Sequence, residues 1–221
     1  MSKKNIINAL AINTQMVKPE EKKAEGATSS VWAFEQDALQ TWAFWDNLFS
    51  QAECERIIQI GNSKYTKTAR VGGAQGGQVN DDIRDSKVSW LFPGDNMGWA
   101  FERVAGAVLS LNQQFFNFDL YGMTEGFQFT RYDAPGGNYG RHVDRGMGGT
   151  PRKLSLTIQL NPSSDFEGGE FALYEGEKPT EPPMQQGKMV MFPSYVLHEV
   201  KPVTKGTRYS LVCWITGKPF K

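Results

Sequence analysis

Leu154-Ser155-Leu156-Thr157-Ile158-Gln159-Leu160 alternates apolar and polar residues without a break. A period of two marks a β-strand, because successive side chains point to opposite faces. Leu154, Leu156, Ile158 and Leu160 share one face, and Ser155, Thr157 and Gln159 share the other. A strand that is greasy on one side and polar on the other suits a sheet that packs against helices and lines a polar pocket.

The same period holds on either side of this strand. Upstream, Phe127–Tyr132 places Gln128, Thr130 and Tyr132 on one face, and Pro135-Gly136-Gly137 reads as a turn. Downstream, Gly168–Tyr174 and Lys188–Phe192 read as further strands, and Thr204-Lys205-Gly206 reads as a tight hairpin turn, since Gly reaches positive φ at little cost. The return strand then runs from Thr207 to Ile215. It carries Arg208, Ser210, Val212 and Trp214 on one face, and Tyr209, Leu211, Cys213 and Ile215 on the other.

Two helices precede the strands. Ser50-Gln51-Ala52-Glu53 reads as a capping box, followed by Cys54, Ile57, Ile58 and Gly61 on one helical face. A second helix is expected around Met97–Asn112, with Phe101, Val104, Ala105, Val108 and Leu111 as its buried stripe. Trp-Ala-Phe occurs twice, at Trp32 and Trp42, and the two triplets read as adjacent strands. The expected fold is mainly β with flanking helices: a double-stranded β-helix (jelly-roll) core packed by N-terminal helices.

The chemistry lies in Tyr139-Gly140-Arg141-His142-Val143-Asp144. The chain has only two histidines, and the other is His198. If residues 140–145 are extended, His142 and Asp144 fall on one face and converge. Two histidines and one carboxylate are the ligand set of a mononuclear non-haem Fe(II) site that keeps open positions for oxygen and a chelating ligand. Arg208 shares its strand face with Ser210 and Trp214. A buried Arg there needs an anionic partner, and its planar fork matches a carboxylate; a salt bridge to a protein carboxylate is the plainer alternative.

Composition sets the remaining bounds. A length of 221 residues fits one domain with a substantial core. The 24 basic residues balance the 24 acidic ones, which points to neither nucleic acid nor membrane as a partner. Cys54 and Cys213 are read as free thiols in a reducing cytosol. With no membrane-span pattern and no convincing leader at the start, the protein is expected to be soluble and cytoplasmic. Residues 1–30, with the charged run Lys18–Gly26, are expected to form a loosely ordered arm, and residues 31–221 the functional domain. The glycine-rich stretch Val71–Gln78 lacks the Gly-Lys-Ser/Thr ending of a phosphate loop, so nucleotide binding is not expected.

From about Trp42 to Trp214 the chain resembles the Fe(II)/2-oxoglutarate-dependent dioxygenases, in particular their prolyl 4-hydroxylase branch. The resemblance rests on Arg131-Tyr132, Tyr139–Asp144, Gly168-Gly169-Glu170-Phe171, Phe192-Pro193 before His198, and Thr207-Arg208-Tyr209-Ser210. Asp82–Trp90 also resembles a segment of the hypoxia-type prolyl hydroxylases. It implies iron bound by His142, Asp144 and His198, with 2-oxoglutarate as cosubstrate, O2 as oxidant and ascorbate as an optional reductant. It implies that Arg208 binds the far carboxylate of 2-oxoglutarate with help from Tyr132, and that Trp214 walls the pocket. Thr157 and Gln159 join the cosubstrate side through their polar strand face. Two positions that are aromatic in some prolyl hydroxylases are here Ile158 and Gln159. The glycine-rich stretch would fold over the substrate, with Arg84, Trp90 and Tyr139 beside the bound chain.

The implied reaction hydroxylates an unactivated C–H bond and releases succinate and CO2. A proline-containing peptide is the first substrate to consider, and a free small molecule or another side chain is the second. A non-catalytic jelly-roll that binds metal or ligand is the reading from a different class. Such a module has no need of an anion-binding Arg, and the joint presence of Tyr132 and Arg208 speaks against it.

Overall fold

The computed structural model describes residues 41–64, 67–68, 84–144 and 151–219. The first Trp-Ala-Phe triplet, the 30/31 domain boundary, the charged arm and the glycine-rich stretch lie outside the described residues. Thirteen strands are described: β1 Ala43–Trp45, β2 Lys67–Thr68, β3 Arg84–Asp85, β4 Lys87–Leu91, β5 Leu120–Gly122, β6 Phe127–Asp133, β7 Asn138–His142, β8 Arg152–Gln159, β9 Phe166–Gly168, β10 Phe171–Tyr174, β11 Met189–Pro193, β12 Leu197–Val200 and β13 Val203–Gly217. The larger sheet runs β1-β11-β8-β13-β6-β4-β2, with β5 and β9 also pairing with β13; the smaller runs β10-β12-β7-β3. All the pairings are antiparallel. This is the jelly-roll expected from the strand pattern.

The two faces of β8 do what their composition requires. Leu154, Leu156 and Ile158 are fully buried in the cluster shared with the helices. Burying each such side chain contributes roughly 1.5–3 kcal/mol. Leu211, Cys213 and Ile215 of β13 join the same cluster, while Ser210, Val212 and Trp214 face the other way, into a pocket with Thr157.

Helix α1 spans Gln51–Ser63, and both halves of its capping box form: Glu53 N donates to Ser50 Oγ, and Ser50 N donates to Glu53 Oε2 at 2.9 Å. Cys54, Ile57 and Gly61 are buried on the expected face. Gly61 lies so close to the Phe129 ring that an added Cβ would sit 2.4 Å from it. Helix α2 spans Gly98–Leu111, within the expected range, but its stripe is displaced. Ala100 and Ala107 are fully buried alongside Val104, Val108 and Leu111, whereas Phe101 and Ala105 sit at the margin. The alanines allow close approach, and Phe101 instead stacks on Phe127 at 3.9 Å between centroids.

Two strand readings are corrected. Thr204-Lys205-Gly206 is not a hairpin turn but part of the continuous strand β13, which pairs with β9 through Val203, Lys205 and Gly206 before joining β6 and β8. Gly206 has φ +72°, and a Cβ there would lie 2.0 Å from Asp165 O, so its freedom serves a close strand approach rather than a reversal. Gly168–Tyr174 is likewise not one strand. Gly168 (φ +75°) and Gly169 (φ +68°) break it, β9 ending on the larger sheet's β13 while β10 begins the smaller sheet. No helix among the described residues is long and apolar enough to cross a membrane.

Candidate active site

The smaller sheet carries the histidines and the larger sheet the polar wall that faces them. His142 ends β7 and pairs directly with His198 of β12 in the strand register, so both imidazoles project to the same side. Asp144 lies two residues past the end of β7, where its N–H donates to Ser194 O at 2.9 Å. The i, i+2 convergence expected of the H-x-D triplet is therefore present. Asp144 Oδ1 is 3.6 Å from His142 Nε2, and Asp144 Oδ2 is 3.4 Å from His198 Nε2. The three side chains offer ligand atoms all within 4.8 Å of one another.

Both rings are oriented in the same way. His142 Nδ1 lies 2.7 Å from Gly140 O, and His198 Nδ1 lies 2.9 Å from Val196 O, each carbonyl two residues before its histidine. A carbonyl only accepts, so each Nδ1 carries the proton and each Nε2 directs a lone pair at the site. Packing holds the rings further. Tyr139 stacks on His142 at 3.5 Å between centroids and 18°, with the Arg84 guanidinium 4.3 Å over the Tyr139 ring. Phe192 meets His198 edge-on at 4.7 Å.

The electrostatics suit a divalent cation. Burial pushes the His142 pKa down to about 4, assisted by the neighbouring His198 and opposed by Asp144. Burial alone would raise Asp144; hydrogen bonding and charge from the imidazoles in their protonated form outweigh it and hold the carboxyl below the ordinary carboxylate range. The Trp214 indole favours the carboxylate as well, although its Nε1 makes no hydrogen bond of ordinary geometry. At neutral pH the site thus presents a carboxylate and a neutral His142, the protonation state that metal ligation requires. This donor set fits Fe(II).

Arg208 does not line the cavity of the cluster; it lies further along the inner face of the larger sheet and lines a neighbouring cavity with Gly169 and Phe171. Arg208 is 1% exposed, pairs with Tyr132 in register, and places its guanidinium carbon 5.5 Å from the Tyr132 ring centroid. Neither Nη1 nor Nη2 has a hydrogen-bond partner among the described residues, so no carboxylate among them pairs with it. A buried guanidinium without a partner is very costly unless a ligand satisfies it. Burial lowers its pKa, yet Arg remains charged in proteins, and burial raises the Tyr132 phenol, keeping it a donor. A carboxylate matches the planar fork of this guanidinium.

Most of the expected site residues come together. Arg84, Tyr132, Tyr139, Thr157 and Trp214 line one cavity with the His-Asp-His cluster. Gln159 lies on the same inner face as Thr157, at the Arg208 end, opposite Ser210 in register. Trp90 does not line the cavity; it packs behind it, 6.1 Å from the Trp214 ring. The cavity has a volume of about 40 Å³ and opens to the surface. Two groups escaped sequence reasoning. Arg152 forms a two-point ion pair with Glu125 at 2.8 and 2.7 Å and lies 3.9 Å over the Trp214 ring. Asn161 holds Gln159 through Gln159 Nε2. Neither has a local signal, because their partners lie on other strands or depend on a bend of the chain.

Residues 127–216 match the sequence profile of the 2OG-Fe(II) oxygenase superfamily. A PKHD-type hydroxylase of Idiomarina loihiensis is 41% identical over 169 residues, covering 72% of this chain and 77% of that protein. A PKHD-type hydroxylase of Prochlorococcus marinus is 28% identical over 163 residues, covering 73% and 71%. Among solved structures, a Trichoplax adhaerens prolyl hydroxylase in complex with a hypoxia inducible factor oxygen degradation domain peptide fragment superposes with TM-score 0.66 at 21% identity, covering 80% of this chain and 84% of that one. A Pseudomonas putida prolyl-4-hydroxylase gives 0.60 at 23% identity, covering 81% and 94%. These structural likenesses establish the shared fold.

Proposed function

We propose that this chain, which belongs to the 2OG-Fe(II) oxygenase superfamily, is a prolyl 4-hydroxylase-like enzyme acting on peptidyl proline. Its cofactor chemistry is that of the family: Fe(II), 2-oxoglutarate and O2. The observation that carries the reading is the His-Asp-His cluster together with the buried Arg208 guanidinium, whose Nη atoms have no hydrogen-bond partner among the described residues and which shares its strand face with Ser210 and Trp214 of the cluster's cavity.

In this reading His142, Asp144 and His198 hold iron through Nε2, a carboxylate oxygen and Nε2, and together with Arg208 they are the catalytic set. When bound, iron and 2-oxoglutarate supply the oxidative power to place one oxygen atom of O2 on an unactivated C–H bond, with succinate and CO2 as co-products. The protein orients and excludes. Arg208 and Tyr132 select a dicarboxylate, Thr157 and Trp214 line its path, and Phe171 and Phe192 keep water from His198. Arg84 and Tyr139 form the substrate side, and Trp90 supports it from behind through Trp214. Arg84 donates from Nε to Ser86 Oγ at 2.9 Å and from Nη2 to Gln128 Oε1 at 2.8 Å, which makes that rim rigid. The peptide preference is supported by the prolyl hydroxylases among the structural neighbours, one of them holding a peptide. The buried free thiols Cys54 and Cys213 accord with a reducing compartment, and the cytoplasm is the proposed location.

The test is an anaerobic titration with Fe(II) and then 2-oxoglutarate, followed by visible absorption of the chelate. A band that forms in the wild type and is lost in Arg208→Ala is the expected result. Proline-containing peptides are then screened by mass for the gain of one oxygen with matched succinate release. Iron binding at one equivalent without a chelate band would overturn the reading and favour a non-catalytic module.

A further inference from the structure

Gln159 has an orientation that its neighbours impose. Tyr209 N donates to Asn161 Oδ1 at 2.8 Å, and Asn161 Nδ2 donates to Thr207 O at 2.9 Å. A backbone N–H only donates and a backbone carbonyl only accepts, so the two ends of the Asn161 amide cannot be exchanged. Gln159 Nε2 lies 2.9 Å from Asn161 O and 3.1 Å from Asn161 Oδ1, both acceptors. The amino end of Gln159 is therefore committed to Asn161, and Oε1 is left on the inner face of the sheet.

That oxygen is fully buried and has no donor among the described residues. Ser210 lies opposite Gln159 on β13, and Thr130 lies opposite Ser210 on β6; both hydroxyls also lack partners among the described residues. The row Gln159–Ser210–Thr130 sits one inward-facing residue from Arg208 and Tyr132, on the side towards Trp214 and Asp144. A dicarboxylate end offers only acceptors. It satisfies the guanidinium and the hydroxyls, but it leaves Gln159 Oε1 unmet. A water meets that need: it donates one hydrogen to Oε1 and one to the carboxylate, and accepts from Ser210 or Thr130.

We propose that Gln159 anchors an ordered water beside the cosubstrate's far carboxylate, and thereby sets the length of dicarboxylate that the pocket accepts. The proposal rests on the 2-oxoglutarate site described above. With one end held by Arg208 and the other at the metal, a chain one methylene longer must buckle into the row. It then displaces the water and sets its own atoms against a buried acceptor that they cannot satisfy.

The experiment compares 2-oxoglutarate with 2-oxoadipate by anaerobic chelate-band titration of the Fe(II)-loaded wild type, Gln159→Leu and Gln159→Met. The wild type is expected to prefer 2-oxoglutarate by about tenfold or more, the scale of one unsatisfied buried acceptor. Both variants are expected to narrow that preference at least about fivefold, whatever the change in their affinity for 2-oxoglutarate itself. A wild type without preference, or variants with an unchanged ratio, would overturn the proposal while leaving the cosubstrate site standing. Absence of any band in the wild type removes both. Far-UV dichroism checks each fold; if Gln159→Leu unfolds, Gln159→Met decides, and unfolding of both overturns the proposal by making Gln159 a structural residue.

Discussion

Replacing Arg208 with methionine is expected to move stability and cosubstrate binding in opposite directions. In the ligand-free protein Arg208 is 1% exposed, and neither Nη makes a hydrogen bond with the described residues. Its carbon stem packs close to Gly169, where an added Cβ would lie 3.1 Å from Arg208 Cδ. Methionine fills much of that stem volume and carries no charge to desolvate. Exchange of a buried ionic group for an apolar one of similar volume stabilises proteins by about 1–4 kcal/mol, and the unpaired state of this one places it well inside that range. Binding responds in the other sense. Two charge-assisted hydrogen bonds at roughly 1.5–3 kcal/mol each make a loss of about 3–6 kcal/mol, or about 10²–10⁴ in the dissociation constant of 2-oxoglutarate. Urea unfolding of the metal-free protein measures the first quantity, and anaerobic chelate-band titration the second. A metal-free Arg208→Met that is less stable than wild type by 1 kcal/mol or more would show that Arg208 is part of a structural ion pair. A change in cosubstrate affinity of less than about tenfold would show that it is not the anion anchor. Either result refutes the reasoning.

Three further outcomes are expected. The metal-free protein should lose about 2 kcal/mol of stability between pH 7 and pH 5 from His142 alone, because its native pKa of about 4 lies below the ordinary 6.5, so in that window the unfolded chain takes up a proton that the folded one refuses; urea midpoints that do not fall with pH would contradict the burial of a neutral ring. Gly61→Ala should destabilise by about 1–3 kcal/mol through overpacking against Phe129, exceeding the helix-propensity gain of at most about 1 kcal/mol, and a raised thermal midpoint would refute the contact. Burial pushes both cysteine thiols up to about 12, so a thiol reagent at neutral pH should label neither Cys54 nor Cys213 in the native protein and both after denaturation; rapid labelling of the native state would sink that expectation.

Interactions local in the chain were read directly, and those that depend on distant neighbours were not. The capping box at Ser50 and Glu53 needs only residues three apart. The two faces of β8 and of β13 follow from the alternation of side chains. Gly206 and Gly168-Gly169 show where this stops. Positive φ serves hairpin turns, strand kinks and sheet crossings alike, and only the approach of Asp165 O or Pro202 O shows which one a given glycine serves. The stripe of α2 drifted for a related reason: hydrophobicity favoured Phe101, while the close approach of helix to sheet buried Ala100 and Ala107.

The active site divides along the same line. Sequence by itself determined the donor types, the convergence of His142 with Asp144, and the presence of a lone Arg on a polar strand face, because each depends on residue chemistry and a period of two. Tertiary structure alone decided that His198 lies opposite His142, that the Nδ1 protons of both rings point away from the site, that the Arg208 Nη atoms have no partner among the described residues, and that Asn161 holds the amino end of Gln159. Those are matters of strand register and hydrogen-bond direction between segments far apart in the chain, and no local pattern encodes them.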